Sequence, residues 1–196
     1  NFKNQSVRYI TLFIIITILN FPLYINAFPI PDDNQVSFDV IRKNKIIGNL
    51  TSNFIRKDEE NLVLHSVLDI SVKVLFIPAY KFFQETKETW NKGNFISIEG
   101  FTDFEDDREY KINGKDEDGV FKATGMDGLL ELDKDIIPLN YWNKNMLSKK
   151  EVFDTQKGIV RKINVKKLNK EIVKINNLEL EAEKYDLSYV TLDGKI

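Results

Sequence analysis

The sequence contains no cysteine and only one histidine, His65, among its 196 residues. Without cysteine the chain can form neither a disulfide nor a thiolate nucleophile, so its stability must come from apolar packing. A single histidine has no second imidazole with which to share a metal ion, and we predict no metal site and no cofactor. A serine hydrolase is disfavoured as well, because the chain has no Gly-x-Ser-x-Gly segment and Ser66 lies within an alternating, strand-like run.

The charge balance also excludes some function classes. With 28 basic and 30 acidic residues the net charge is −2, which gives no general attraction to nucleic acid, and we predict no nucleic-acid partner. The acidic runs 103–109 and 115–119 do not follow the ligand spacing of a calcium loop and are interpreted as exposed hairpin tips. The basic run 161–167 alternates with apolar residues and is interpreted as a solvated or edge strand. Since the acids lie mainly at turns, we predict that the protein is not an enzyme.

The first 27 residues differ from the rest of the chain and are interpreted as a secretory signal peptide. Lys3 and Arg8 precede an apolar core from Ile10 to Leu19, and Ala27 offers a small residue at which cleavage can occur. The small-x-small pattern before that position is incomplete, so a retained membrane anchor is the alternative. Residues 28–196 are predicted to form one β domain, with membrane contact only through the N-terminal segment.

Period-two alternation dominates the remaining sequence. In the segment 62–76, Leu64, Leu68 and Ile70 fall on one side of a strand, whereas His65 and Asp69 fall on the other. His65 is therefore interpreted as a solvated or hydrogen-bonded side chain. Turn signals at short intervals leave no room for crossover helices, so neighbouring strands must be antiparallel. These signals are Lys43-Asn44-Lys45, Asn91-Lys92-Gly93-Asn94, Asn113-Gly114, Asp118-Gly119, Asp127-Gly128 and Asn176-Asn177.

The alternation and the turns together predict the fold class. We expect an all-β protein, built as a curved antiparallel meander sheet or a partial β-barrel. Residues 138–150 are the exception, since they begin with a proline and show weak helical character. They are predicted to form a loop or short helix that covers one end of the sheet.

The segment PLNYWNKN, from Pro138 to Asn145, places two large rings in this predicted loop. Tyrosine and tryptophan can bury a large apolar area and still offer a polar group, as the rim of a binding site requires. The alternative is a plug, in which the two rings seal the core and leave no cavity behind them. Both interpretations place the rings inward. The candidate ligand-binding residues are Tyr141, Trp142, Asn143, Phe76, Phe82, Trp90 and Gln156.

Four segments carry a resemblance to a known family. They are FDVIRKNKIIG (Phe38–Gly48), Val72–Ile98, YWN (Tyr141–Asn143) and DTQKG (Asp154–Gly158). In this order they resemble a family of exported Gram-negative bacterial proteins that is a domain of unknown function. The resemblance implies a periplasmic location, a β-rich fold and no established activity. The chain departs from the family by stopping at LDGKI (residues 192–196), where one more hairpin is expected and a truncated domain is implied.

A broader likeness is to the half-barrel periplasmic lipoprotein carriers, whose curved sheet wraps a lipid-binding cavity. It implies a non-catalytic periplasmic protein that binds an apolar or amphiphilic envelope component, such as a lipid or an apolar small molecule, on the concave face of the sheet. The alternative is a structural or assembly factor that contacts another envelope protein through an exposed sheet edge. For the first function, Trp142 is predicted to face inward with Tyr141, Phe76 and Phe82.

Overall fold

The computed structural model describes residues 30–74, 77–104, 108–175 and 178–189. The predicted signal peptide and the candidate Phe76 lie outside these ranges, and so does the predicted turn at Asn176-Asn177. Within them the secondary structure consists of β-strands and one 3₁₀ helix at Lys144–Ser148. The strands are β1 (Gln35–Arg42), β2 (Lys45–Arg56), β3 (Asn61–Val74), β4 (Ile77–Asn91), β5 (Asn94–Phe104), β6 (Arg108–Glu117), β7 (Val120–Gly125), β8 (Gly128–Asp133), β9 (Glu151–Asp154), β10 (Ile159–Lys167), β11 (Glu171–Ile175), β12 (Leu178–Ala182) and β13 (Tyr185–Tyr189).

The first eight strands form one sheet in which the spatial order is the same as the chain order. Every neighbouring pair is antiparallel, so the predicted all-β meander is confirmed. β1 and β8 are the two edges of this sheet, and the sheet does not close into a barrel. A meander of this kind needs only short connections, which agrees with the frequent turn signals in the sequence.

Three of the predicted turns have positive φ at both central residues, as two-residue hairpin loops of type I′ require. They are Lys43-Asn44 (φ 49° and 60°), Lys92-Gly93 (48° and 85°) and Asp118-Gly119 (53° and 86°). The predicted turn at Asn113-Gly114 is wrong, because both residues lie inside β6. Gly114 is needed there for packing: a Cβ atom at this position would lie 2.7 Å from Cε1 of Phe121 on β7.

A smaller sheet has the order β13–β10–β9, and β11 and β12 form a separate hairpin. The β9–β10 turn is joined to the β7–β8 turn by a hydrogen bond of 2.7 Å from the Met126 amide to the Lys157 carbonyl. Gly125 and Gly158 meet at this junction, where a Cβ atom on Gly125 would lie 2.4 Å from the Gly158 carbonyl oxygen. The close approach of the two backbones therefore depends on the absence of side chains.

The hydrophobic core lies between the main sheet and the chain that follows it. We call the side of β2–β7 that faces this core the inner face. Its large buried side chains include Phe54, Leu64, Trp90, Phe95, Ile98, Ile112 and Phe121. They pack against Val152 and Phe153 of β9 and against Met146 of the 3₁₀ helix. Each such burial stabilises the fold by about 1.5–3 kcal/mol relative to an exposed side chain.

The segment 134–150 crosses this core, and the predicted short helix within it is confirmed. Asn143 begins the helix as its N-cap, and its side-chain oxygen accepts a hydrogen bond of 3.0 Å from the Asn145 amide. The backbone of Phe153 binds residues 137–139, which precede the helix. Its amide donates to the Ile137 carbonyl and its carbonyl accepts from the Leu139 amide, both at 2.8 Å. These bonds fix the segment against β9 and so determine where its aromatic residues lie.

Candidate binding site

One wall of the candidate site is a polar row on the inner face of β2–β4. Strand register places Ser52 opposite Ser66, and Ser66 opposite Thr86. The two serine hydroxyls are 2.7 Å apart and hydrogen-bonded. Because side chains alternate along a strand, the next inward row contains Leu50, Leu68 and Gln84. The wall therefore changes from polar to largely apolar over a step of two residues along each strand.

The opposite wall is built by the loop before the 3₁₀ helix and by the β9–β10 turn. Leu139 to Trp142 come from the loop, Asp154 to Gln156 from the turn, and Tyr189 from β13. Gln84 joins the two walls, since its Nε2 donates to the Thr155 carbonyl oxygen at 2.8 Å and to the Thr155 hydroxyl at 3.1 Å. The walls are thus held at a fixed separation by buried hydrogen bonds.

A cavity of about 110 Å³ lies between these walls. Its lining is mixed: Val36, Leu50, Leu68 and Leu139 are apolar, whereas the serine row and the β9–β10 turn are polar. About one probe sphere of volume suffices for a single water, so this space can hold a few waters or one small chemical group. A longer ligand would have to extend out of the cavity.

Trp142 lies over the inner face and is half-buried. Its ring meets Phe54 at a centroid distance of 5.3 Å and Trp90 at 5.4 Å, with interplanar angles of 83° and 80°. These are edge-to-face contacts, the arrangement that aromatic quadrupoles favour. Tyr141 differs from the expectation of an inward ring: it is 73% exposed and lies at the rim of the cavity.

Glu88 lines the cavity and is only 2% exposed. Its Oε2 accepts a hydrogen bond of 3.0 Å from the Trp90 indole and one of 3.4 Å from the Asn140 amide group. Burial raises the pKa of this carboxyl from 4.5 to about 7, although the two hydrogen bonds act in the opposite direction. Near neutral pH the group therefore exchanges readily between its charged and neutral forms.

Asp154 and Arg161 form a buried ion pair next to the cavity. Oδ1 of Asp154 accepts from the Gln156 amide at 2.7 Å and from the Lys157 amide at 3.3 Å, whereas Oδ2 accepts from Nε of Arg161. The Arg161 guanidinium also lies over the Tyr189 ring, 5.0 Å from its centroid. The interpretation of 161–167 as an edge strand is wrong, because β10 is the central strand of its sheet. The alternative of a solvated strand fits the exposed lysines but not Arg161, which is 7% exposed.

The structure brings together some of the predicted site residues and separates others. Trp142, Tyr141 and Gln156 line the cavity, and Trp90 lies directly beneath Trp142. Asn143 is buried as the helix N-cap and does not line this cavity. Phe82 is also absent from the cavity wall, because it packs edge-to-face against Phe104 at 4.9 Å in another part of the core.

Glu88 is the main residue that the sequence prediction of the site missed. The alternation of side chains along β4 could have identified it. Glu88 is on the same, inward side of the strand as Thr86 and Trp90, whereas Glu85 is on the outward side. Glu85 does lie outside, where it is 2.6 Å from His65, as expected for a hydrogen-bonded histidine. An acid two residues from a buried tryptophan on the same strand lies on the same, inward side of the sheet.

Two classes of feature are absent from the part of the chain that the structure describes. No group of three or more His, Asp or Glu side chains there is arranged to hold a metal ion. No helix in the same residues has the length and apolar character needed to cross a membrane.

Comparison with known proteins gives a family. No curated protein and no solved structure matches the chain. One family model, described as "Domain of unknown function (DUF6134)", matches residues 38–196. This range covers the meander from within β1 onward, both walls of the cavity, and residues 139–142, which we call the Trp142 loop. Because the match extends over most of the sequence, the chain belongs to the DUF6134 family of domains of unknown function.

Proposed function

We propose that this protein is a non-catalytic periplasmic binding protein, which takes up an apolar or amphiphilic component of the cell envelope. The ligand would lie between the inner face of β2–β4, with the adjacent β1, and the Trp142 loop. The observation that carries the proposal is the cavity there, which remains open although aromatic rings cover it. A plug would have filled that space with side chains.

The composition of the walls supports an amphiphilic ligand. Leucine and valine side chains along one side favour an apolar group, and the serine hydroxyls with the Glu88 carboxyl favour a polar one. Small-molecule sites in proteins commonly combine a mainly apolar lining with a few placed polar groups. The walls are also pre-formed, since Gln84 and Asn143 hold them by hydrogen bonds, and pre-formed walls reduce the entropic cost of binding.

A binding role also suits the two buried acids better than a catalytic one. Asp154 is already fully engaged by Arg161 and by two backbone amides. Glu88 then lacks the second free acid that a carboxylate-pair mechanism requires. We assign it to ligand recognition.

The proposed location rests on the N-terminal composition, with Lys3 and Arg8 before an apolar run. Export with cleavage after Ala27 predicts a mature chain that begins at Phe28. N-terminal sequencing of protein from the periplasmic fraction checks this. A chain held in the membrane with residues 1–27 intact would contradict it.

The binding role is tested by replacing Trp142 with alanine. Two edge-to-face contacts of about 0.5–1.5 kcal/mol each are lost, so the free energy of unfolding should fall by about 1–3 kcal/mol. Affinity for hexanol, measured by isothermal titration calorimetry, should fall about tenfold, because the ring forms part of the cavity wall. Tyr141→Ala is the matched control for the stability measurement and should change the free energy of unfolding by less than about 0.5 kcal/mol, because its ring is largely exposed.

If Trp142 is instead a plug, its removal should cost about 3–5 kcal/mol and the unaltered protein should bind no hexanol. That pair of results would overturn the proposal.

A second candidate function, contact with another envelope protein, is favoured by the β11–β12 hairpin. Leu178 is 65% exposed and Leu180 is 47% exposed, on a hairpin whose other side carries the Lys174–Glu179 ion pair. A two-stranded hairpin is marginally stable by itself, so a partner that covered its apolar side would stabilise it. A Trp142→Ala protein that loses hexanol binding but keeps its role in the cell would favour this function.

A further inference from the structure

We infer that the polar end of the cavity binds the ammonium group of a cationic amphiphile, and that the Glu88 carboxylate is its counter-ion. This inference rests on the proposed function and assigns a ligand class to the same site. It also excludes the opposite class, the anionic amphiphiles such as fatty acids and phospholipid phosphates.

The geometry of Glu88 is the first argument. Both donors that the described residues supply, the Trp90 indole and the Asn140 amide group, bind Oε2. Oε1 accepts no hydrogen bond from a described residue, and the side chain lines the cavity. A carboxyl that is 2% exposed and has one oxygen open toward a cavity is a site for a hydrogen-bond donor from a ligand.

The charge of the lining is the second argument. Glu88 and Asp154 are acidic, and no lysine, arginine or histidine is among the described residues that line the cavity. Arg161 neutralises Asp154 from just outside the cavity, so the charge of Glu88 remains uncompensated. A buried carboxylate without a cation is costly, and a ligand that supplies the positive charge removes that cost.

The aromatic residues are the third argument. Trp142, Tyr141, Tyr189 and Phe38 contribute to the same cavity wall. The faces of aromatic rings attract cations, most strongly when water is excluded. A hydroxyl head group would gain the hydrogen bond to Oε1 but neither the charge pairing nor the cation–π attraction, and an anionic head group would be repelled by Glu88.

The inference also requires a proton balance. Burial holds the pKa of Glu88 at about 7 in the free protein, so binding of a cation below that pH must release the carboxyl proton. The other ionisable groups at the cavity are Asp154 with its partner Arg161, and the phenols Tyr141 and Tyr189. His65 and Glu85 lie on the outward side of the sheet and do not face Glu88.

The test uses three probes with the same chain length: hexylammonium, hexanol and hexanoate. Calorimetric titration at pH 8 should show hexylammonium binding about tenfold or more tightly than hexanol, with no saturable binding of hexanoate. Affinity for hexylammonium should be weaker at pH 5 by about tenfold or more, toward its affinity for Glu88→Gln, since protonated Glu88 cannot pair with the ammonium charge. Affinity for hexanol should change little between the two pH values.

Glu88→Gln removes the charge and keeps the shape of the side chain. It should weaken hexylammonium about tenfold or more and leave hexanol within about threefold. Glu85→Gln is the matched control on the outward side of the same strand and should alter neither affinity. A thermal melt of each variant establishes that it is folded before titration.

The outcomes separate the two proposals. The assignment of an ammonium ligand is wrong, and the binding role stands, in either of two cases. In the first, hexanol binds and Glu88→Gln leaves the affinity for hexylammonium unchanged. In the second, hexanoate binds as tightly as hexylammonium does. If none of the three probes binds the unaltered protein, the proposed function itself fails.

Discussion

Replacing Asp154 with alanine is expected to lower the free energy of unfolding by about 3–5 kcal/mol, because it leaves the Arg161 guanidinium buried without its carboxylate. The substitution also removes the acceptor of the Gln156 and Lys157 amides, which shape the β9–β10 turn. Urea unfolding followed by circular dichroism measures the change.

An exposed ion pair supplies the control for this prediction. Glu179 pairs with Lys174 at 2.8 Å on the β11–β12 hairpin, where both side chains are more than half exposed. Glu179→Ala should cost no more than about 1 kcal/mol, because water screens and replaces such a pair. Equal losses for Asp154→Ala and Glu179→Ala would show that the buried pair does not hold the turn.

Glu88 should make the protein less stable as the pH rises from about 4.5 to about 7. Its carboxyl has a pKa of about 7 in the folded chain and an ordinary value of 4.5 when unfolded, so in this window the folded state binds more protons. Stability therefore falls with increasing pH and levels off above about pH 7. The full effect is about 3 kcal/mol. Urea unfolding at pH 5 and pH 8 measures it.

The matched variant for this prediction is Glu88→Gln, which cannot ionise. Other titrating groups, including Asp58 and Glu183, whose pKa values are lowered by hydrogen bonds in the folded chain, affect both proteins alike. The difference between the unaltered protein and Glu88→Gln should therefore contain only the contribution of Glu88. The same pH dependence in both proteins would contradict the buried, raised-pKa state of this carboxyl.

The fold was largely predictable because β2–β5 each have one wet and one dry side. His65 and Glu85 outside, with Leu64 and Trp90 inside, produce the alternation that can be recognised in the sequence. The failure at Asn113-Gly114 has a non-local cause. Gly114 is inside a strand because the Phe121 ring packs across it, and the local sequence does not contain that contact.

The candidate site was predictable only in part. The ring-rich loop was identified from its composition, since tryptophan and tyrosine stand out among asparagines. The position of Trp142 between Phe54 and Trp90 needed the structure, because it depends on the hydrogen bonds between the 137–139 stretch and Phe153. Tyr141 at the rim shows the limit of composition, which does not tell which of two adjacent rings is buried.

Arg161 shows a second limit. Along β10 it shares one side of the strand with Ile159 and Ile163, but it lies within a run of basic residues whose lysines are exposed. What buries it is the pairing of β9 with β10: Asp154 is opposite Ile159, so Arg161 is its diagonal neighbour on the same side. The register of a hairpin depends on the geometry of its turn. In this hairpin the Asp154 carboxylate holds the turn by accepting hydrogen bonds from the Gln156 and Lys157 amides.

The central claim, that a ligand enters between the Trp142 loop and the inner face, is tested most directly by following the indole N–H signals in a ¹⁵N NMR titration with hexanol. The chain has two tryptophans, so the spectrum should contain two such signals. Trp142 lines the cavity, and Trp90 donates to Glu88 beneath it. Both signals should shift in a saturable way, with amide shifts confined to the strands and loops that line the cavity: β1–β4, residues 139–142, the β9–β10 turn and Tyr189. Indole signals that stay unchanged while amides shift elsewhere in the protein would contradict the account.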